Sequence, residues 1–203
     1  RIVVLKKKLV SCDLLNQYEV DEVKLEQEQC FAAFEILNRY YCYKGFCDFK
    51  NFDIVFFDND LSYTRGITEE QEYKVLCKVF GEFKKLRVYV KLKPAREEIL
   101  NRRFRLFNRL EREIGLIFFI RPEDANVPWE IIYYTNRDNL RKVKYMGFAF
   151  SSAFLSPAKF FGDSVSIICL RKLSGSELPL SKDLIEWTKQ LNMAGVFEEL
   201  IFP

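Results

Sequence analysis

From Asp53 onward the chain alternates short β-rich segments with longer stretches of helical period, and no other feature constrains its fold as tightly. Asp53–Phe57 and Leu116–Ile120 are unbroken apolar runs, Leu86–Leu92 alternates and is rich in β-formers, and Val143–Phe150 and Ser164–Leu170 complete the set. A strand buried on both faces reads as a continuous apolar run, whereas a half-exposed one alternates. Between these runs lie helical segments. Thr68-Glu-Glu-Gln71 is a capping box that opens a helix through about Lys85. Arg96–Glu113 is a long charged helix with apolar positions at Ile99, Phe104, Leu106, Phe107 and Leu110. Asn126–Tyr134 suits a helix with Pro128 in its first turn, Ser151–Phe161 one that opens at Ser151-Ser152, and Asp183–Met193 a closing helix. Strands alternating with helices predict an α/β, Rossmann-like parallel sheet covered on both faces, over residues 51–203. Residues 1–50 read as a linker or docking segment carrying a helix, with Phe31, Phe34, Ile36, Leu37 and Tyr40 as buried positions.

The chain contains no histidine, which excludes Ser-His-Asp and Cys-His catalysis, histidine-ligated metals and any histidine general acid. Six scattered cysteines, without histidine partners, predict reduced thiols rather than a zinc site. A net charge of +3 over 203 residues argues against a dedicated nucleic-acid binder. No segment has the length of a membrane span, so a cytoplasmic protein is expected, with peripheral contact to the inner membrane as the alternative. The chain opens on Arg1 rather than Met, as a fragment or processed product would.

Open parallel sheets bind ligands outside the carboxyl ends of their strands. The loops expected there are Asp58–Gly66, Lys93–Arg96 and Gly147–Ser152. Ser151 and Ser152 precede a helix and offer hydroxyls and free N–H groups to a phosphate, or serve as an ordinary N-cap. Lys91, Lys93 and Arg96 supply positive charge to the same place, or form a solvated strand end.

Two sets of segments carry a resemblance. One is Val127-Pro-Trp-Glu-Ile-Ile132, Gly147-Phe-Ala-Phe-Ser-Ser-Ala-Phe154 and Phe160-Phe-Gly-Asp-Ser-Val-Ser-Ile-Ile168. The other runs from Phe52-Asp-Ile-Val-Phe-Phe57 through Gly66-Ile-Thr-Glu-Glu70 to Val88-Tyr-Val-Lys-Leu-Lys-Pro94. Together they resemble the bacterial sialyltransferases of glycosyltransferase family 52, which modify lipooligosaccharide, and the related capsular polysialyltransferases. The resemblance implies a GT-B relationship, a nucleotide-activated sugar donor (CMP-linked), a cell-surface glycan acceptor and no separate cofactor. It implies that Ser151 and Ser152 hold the CMP phosphate, that Glu130 sits by the nucleotide, and that Pro94 belongs to the pair that meets the phosphate.

Both catalytic motifs depart from the family pattern. Lys93-Pro94 stands where the family has His-Pro, and Ser62-Tyr-Thr-Arg65 before Gly66 lacks the usual acidic pair. Lys93 can neutralise a phosphate but is a poor proton donor. Asp58 and Asp60 are the local substitutes for a base, and loss of that role alone lowers a rate roughly 10²–10⁴-fold. The alternatives are a degenerate domain that binds a nucleotide or a partner without turnover, and a membrane-surface scaffold. The scaffold reading rests on Arg102, Arg103, Arg105, Arg109 and Arg112 interleaved with Phe104 and Phe107. Against it, the helix would pack on the sheet with those arginines solvated or paired to Glu98, Glu111 and Glu113. Association with a further copy or a partner domain is compatible with each reading.

Overall fold

The computed structural model describes residues 2–5, 20–23, 27–83, 85–148, 153, 156–170, 172–173, 176–177 and 197–200. All five expected segments form strands: β3 (Ile54–Phe57), β4 (Arg87–Lys91), β5 (Ile117–Phe119), β6 (Lys144–Phe148) and β7 (Ile167–Leu170). They join β10 (Phe197–Leu200) in one parallel sheet ordered β10-β7-β6-β3-β4-β5. Two small pairs lie outside it: β1 (Ile2–Leu5) beside β2 (Val20–Val23), and β8 (Lys172–Leu173) beside β9 (Ser176–Glu177).

Starting from β3 the chain winds outward through β4 to β5, then returns to β6 on the other side and winds outward again. This is the doubly wound Rossmann order, and it puts a topological switch point between the carboxyl ends of β3 and β6. Alternate residues along β3 face opposite layers. Phe56 meets Phe80 of α3 (Glu69–Gly81) and Phe107 of α4 (Glu97–Ile114). Phe57 meets Trp129 of α5 (Trp129–Leu140) and Tyr145 of β6. Helices therefore cover both faces, as an all-parallel sheet requires.

The core extends back past residue 50. Phe49 is fully buried and packs on Phe52 and on Tyr89 of β4, and Phe46 stacks on Phe119. In α1 (Gln27–Tyr41), Phe31 and Phe34 pack on Tyr134 and on Phe161 of α6 (Ser156–Phe161). Ile36, Leu37 and Tyr40, expected inside, are instead exposed, because the helical turn carries them away from the Phe31–Phe34 stripe.

Two stretches differ from the sequence expectation. Pro128 is the N-cap of α5 rather than part of its first turn, and α5 runs on to Leu140 across a non-helical residue at Asn136. There the Asn136 amide donates to Ile132 O, and its Oδ1 accepts the Phe46 N–H, which ties the aromatic loop to the helix. The stretch before Gly66 forms a short helix, α2 (Leu61–Arg65). The helix expected over Asp183–Met193 lies outside the described residues.

At the edge strand β5, the Phe118 N–H donates to the Glu111 carboxylate at 3.3 Å. On the opposite side of the sheet Arg137 grips Asp163 through Nε at 2.6 Å and Nη2 at 2.7 Å, and the Tyr133 hydroxyl donates to it at 2.7 Å. Partial burial pushes the Asp163 carboxyl up, but Arg137 and Tyr133 outweigh it and hold it below its ordinary value. A carboxylate with a lowered folded-state pKa adds stability above its unfolded pKa, and that stability disappears as pH falls through the folded value. Asp163→Asn should therefore melt below the parent protein at pH 7, with the gap closing below about pH 4. Melting curves of both proteins between pH 7 and pH 2 test this, and a gap that persists in acid would contradict it.

Candidate functional site

Two adjoining cavities open at the carboxyl edge of the sheet. The larger, about 600 Å³, lies between α2 and the start of α4 and is lined by Asp58, Asp60, Tyr63, Ile99, Leu100 and Arg103 among others. The smaller, about 140 Å³, sits at the switch point between Phe57, Lys91, Val127, Trp129, Glu130 and Ala153. Asp58, Leu92, Lys93 and Pro94 line both, so the Lys93–Pro94 turn is a ridge dividing them. Seven of the sequence-derived site residues (Asp58, Asp60, Lys91, Lys93, Pro94, Arg96 and Glu130) thus face one or both cavities. Ser151 and Ser152 lie outside the described residues, although Ala153, next in the chain, lines the smaller cavity.

Asp58 and Asp60 are held in ion pairs. Asp58 is buried, and its two oxygens accept from Arg103, with Nε at 2.8 Å from Oδ2. Arg103 also meets Glu72 at 2.8 Å and Asp60 at 3.5 Å. Burial pushes the Asp58 carboxyl above the usual carboxylate range, and the Arg103 guanidinium opposes that rise. Burial works against the Arg103 charge, but Asp58 and Glu72 hold it above the ordinary arginine value. Asp60 caps α2 and receives Arg102. Its backbone is left-handed at φ 46°, a conformation Asp tolerates better than most residues. Glu72 closes the network by accepting the N–H groups of Leu61 at 2.8 Å and Ser62 at 3.2 Å. The loop after β3 is thereby fixed to α3 and α4, and the large cavity is preformed.

Lys91 is buried at the end of β4, and its ammonium donates to the carbonyls of Leu92, Asp124 and Ala125 at 2.8–3.1 Å. Burial lowers its pKa to about 8, and Asp124 and Glu130 draw it back upward. Its hydrogen atoms are committed to main-chain acceptors, so it offers an anion its field rather than a hydrogen bond. Lys93 and Arg96 are exposed, with room to reach a bound group. Glu130, in the first turn of α5, accepts from the Ser156 hydroxyl at 2.6 Å. Trp129 is 97 % buried, and its indole N–H has no acceptor among the described residues.

Comparison with protein-family models, with curated proteins and with solved structures gives no match.

Arg103, Glu72, Tyr63 and Trp129 were not among the expected site residues. The signal for Arg103 lay in the helical period. It stands four residues before Phe107 and seven before Leu110, on the buried stripe of α4, and an arginine there requires buried acids. Three of the five arginines of α4 find other partners than Glu98, Glu111 and Glu113, while Arg105 and Arg112 are exposed. Arg102 pairs with Asp60 and Glu69, Arg103 with Asp58 and Glu72, and Arg109 with Glu70 while lying 3.5 Å over the Tyr73 ring. Those contacts tie Arg102, Arg103 and Arg109 to α3 and to the loop after β3. Among the described residues, no helix is long and apolar enough to cross a membrane.

Proposed function

We propose that this Rossmann-like domain binds the nucleotide portion of a nucleotide-activated sugar, CMP-linked by the resemblance above, as a glycosyltransferase-like binding module. The observation that carries the reading is the pair of cavities meeting on the Lys93–Pro94 ridge at the switch point. A two-part ligand suits two joined cavities with a cation on the ridge between them. Glu130 and Lys91 border the smaller cavity, and Arg96 borders the larger.

The ion pairs favour binding over transfer. A general base must have a lone pair directed at the proton it takes. Both Asp58 oxygens accept from Arg103, and Asp60 is bound to Arg102 and to the α2 N-terminus. Transfer of the sugar to a glycan through either carboxylate would require that network to open.

Thermal stabilisation by CMP, UDP, GDP and ADP tests the reading. Stabilisation by about 5–11 °C is expected from CMP at a hundred times its dissociation constant. It should be lost in the Ser151→Ala, Ser152→Ala double variant. No shift with any of the nucleotides would overturn the proposal. Rapid CMP-sugar hydrolysis or transfer that Asp58→Asn abolishes would restore the enzymatic reading.

A further inference from the structure

We infer that α1 is a dimerisation helix, whose outer face pairs antiparallel with the same face of a second copy of this chain.

A helix that serves a single core needs one apolar stripe, and α1 has two. Phe31 and Phe34 turn inward onto Tyr134 and Phe161, and Asn38, on the same side, meets Thr135. At 3.6 residues per turn, Ala32, Ala33, Ile36, Leu37 and Tyr40 fall on an arc of roughly 140° that points the other way. Of the seven large apolar side chains exposed among the described residues, four lie on α1: Ile36 at 67 %, Leu37 at 42 %, Tyr40 at 80 % and Tyr41 at 37 %. Contiguous apolar surface of this kind marks contact with another body. Ala33, Ile36 and Tyr40 are spaced by three and then four residues, the interval of a helix-to-helix seam.

The flanks of the stripe choose the occupant. On one side stand Glu35 and Arg39, an exposed ion pair one turn apart, and on the other Leu37 and Tyr41. A two-fold axis across antiparallel helices sets each flank against its own copy, whereas parallel helices set unlike flanks together. Parallel pairing would press Glu35 and Arg39 onto Leu37 and Tyr41. Antiparallel pairing puts apolar flank on apolar flank and charge on opposite charge. With the axis between Ile36 and Leu37, Ile36 comes level with the other copy's Leu37, and Tyr40 with its small Ala33. Glu35 then stands about 1.5 Å along the helix axis, one residue's rise, from the level of the other copy's Arg39. Two acids and two arginines alternate along that flank, so the face is complementary to itself. An anionic lipid surface fits less well, because the charged residues of α1 are two acids, Glu28 and Glu35, and one base, Arg39. A face built on four large side chains is small beside the about 800 Å² per partner of a standard interface, so the pair is reversible and concentration-dependent. No residue of α1 lines either cavity, so the pairing stands apart from the nucleotide reading.

Sedimentation of the full chain over a wide range of concentration tests this without a ligand, and a monomer–dimer equilibrium is expected. Ile36→Glu should weaken it about a hundredfold or more, because each dimer carries the change twice. Glu35→Arg and Arg39→Glu should each weaken it roughly tenfold, and the variant carrying both should regain the parent affinity. All three positions are exposed, so each variant should melt with the parent protein at concentrations where both are monomeric. A chain that stays monomeric throughout, a dimer indifferent to Ile36→Glu, or charge reversals that the double variant does not rescue would overturn the proposal. So would a lower melting temperature of monomeric Ile36→Glu, which would place a segment of this same chain on that face.

Discussion

Arg103→Met is expected to lower the melting temperature by about 6–20 °C, which corresponds to roughly 3–5 kcal/mol for removing one partner of a buried charge pair. The side chain is almost wholly enclosed, and it serves two carboxylates that are as deeply buried as it is. Methionine fills the aliphatic volume but leaves Asp58 and Glu72 facing each other with nothing between them. The size of the effect comes from those stranded acids rather than from the arginine's own contacts. A triple variant with Asp58→Asn and Glu72→Gln added should recover most of the loss, since replacing a whole buried ionic group is often close to neutral. Thermal melts of the single and triple variants provide the check. Equal destabilisation in both would show that packing of the arginine stem, not charge, holds the site together.

Phe49→Ala is expected to destabilise the fold by about 3–5 kcal/mol, the range for emptying a large aromatic site in a core. Phe49 has no exposed surface and meets Tyr89 edge-on at 4.7 Å and Phe46 at 5.2 Å between ring centroids. Its loss opens a void against β4, beneath the strand that carries Lys91 to the ligand edge. Chemical denaturation of the full chain measures the effect. A change below about 1 kcal/mol, the scale of a tolerated surface substitution, would mean that residues 43–52 are an appendage rather than core.

These two residues also show what the sequence made legible. Five of the sheet's six strands were visible because buried parallel strands are written as dense β-rich segments, and the covering helices because their ends carry caps such as Thr68 with Gln71; β10 was not expected. The carboxyl-edge loops followed from that alternation, which is why Asp58, Asp60, Lys93, Pro94 and Arg96 were found together, whereas Glu130 came only from the resemblance. Phe49 was missed because its aromatic cluster lies in an irregular loop and a 3₁₀ turn, where no period marks a buried position. Arg103 was missed for a different reason. Charge was read as a sign of exposure, although the spacing to Phe107 and Leu110 already placed it inside. Strand order was not legible either, because the return from β5 to β6 across the sheet is set by packing of both layers and not by any one segment.

The bond from Phe118 to Glu111 has a bearing on solubility and assembly. A strand at the margin of a sheet presents unsatisfied main-chain groups to any passing extended polypeptide, and fibrous aggregation often begins at such margins. Here a carboxylate from the preceding helix occupies the outward N–H of a three-residue strand. An incoming chain would have to displace a charged group to gain one ladder bond. Growth by strand addition is thus discouraged on that side, and the domain can carry Ile117 and Phe119 partly in solvent without an invitation to polymerise.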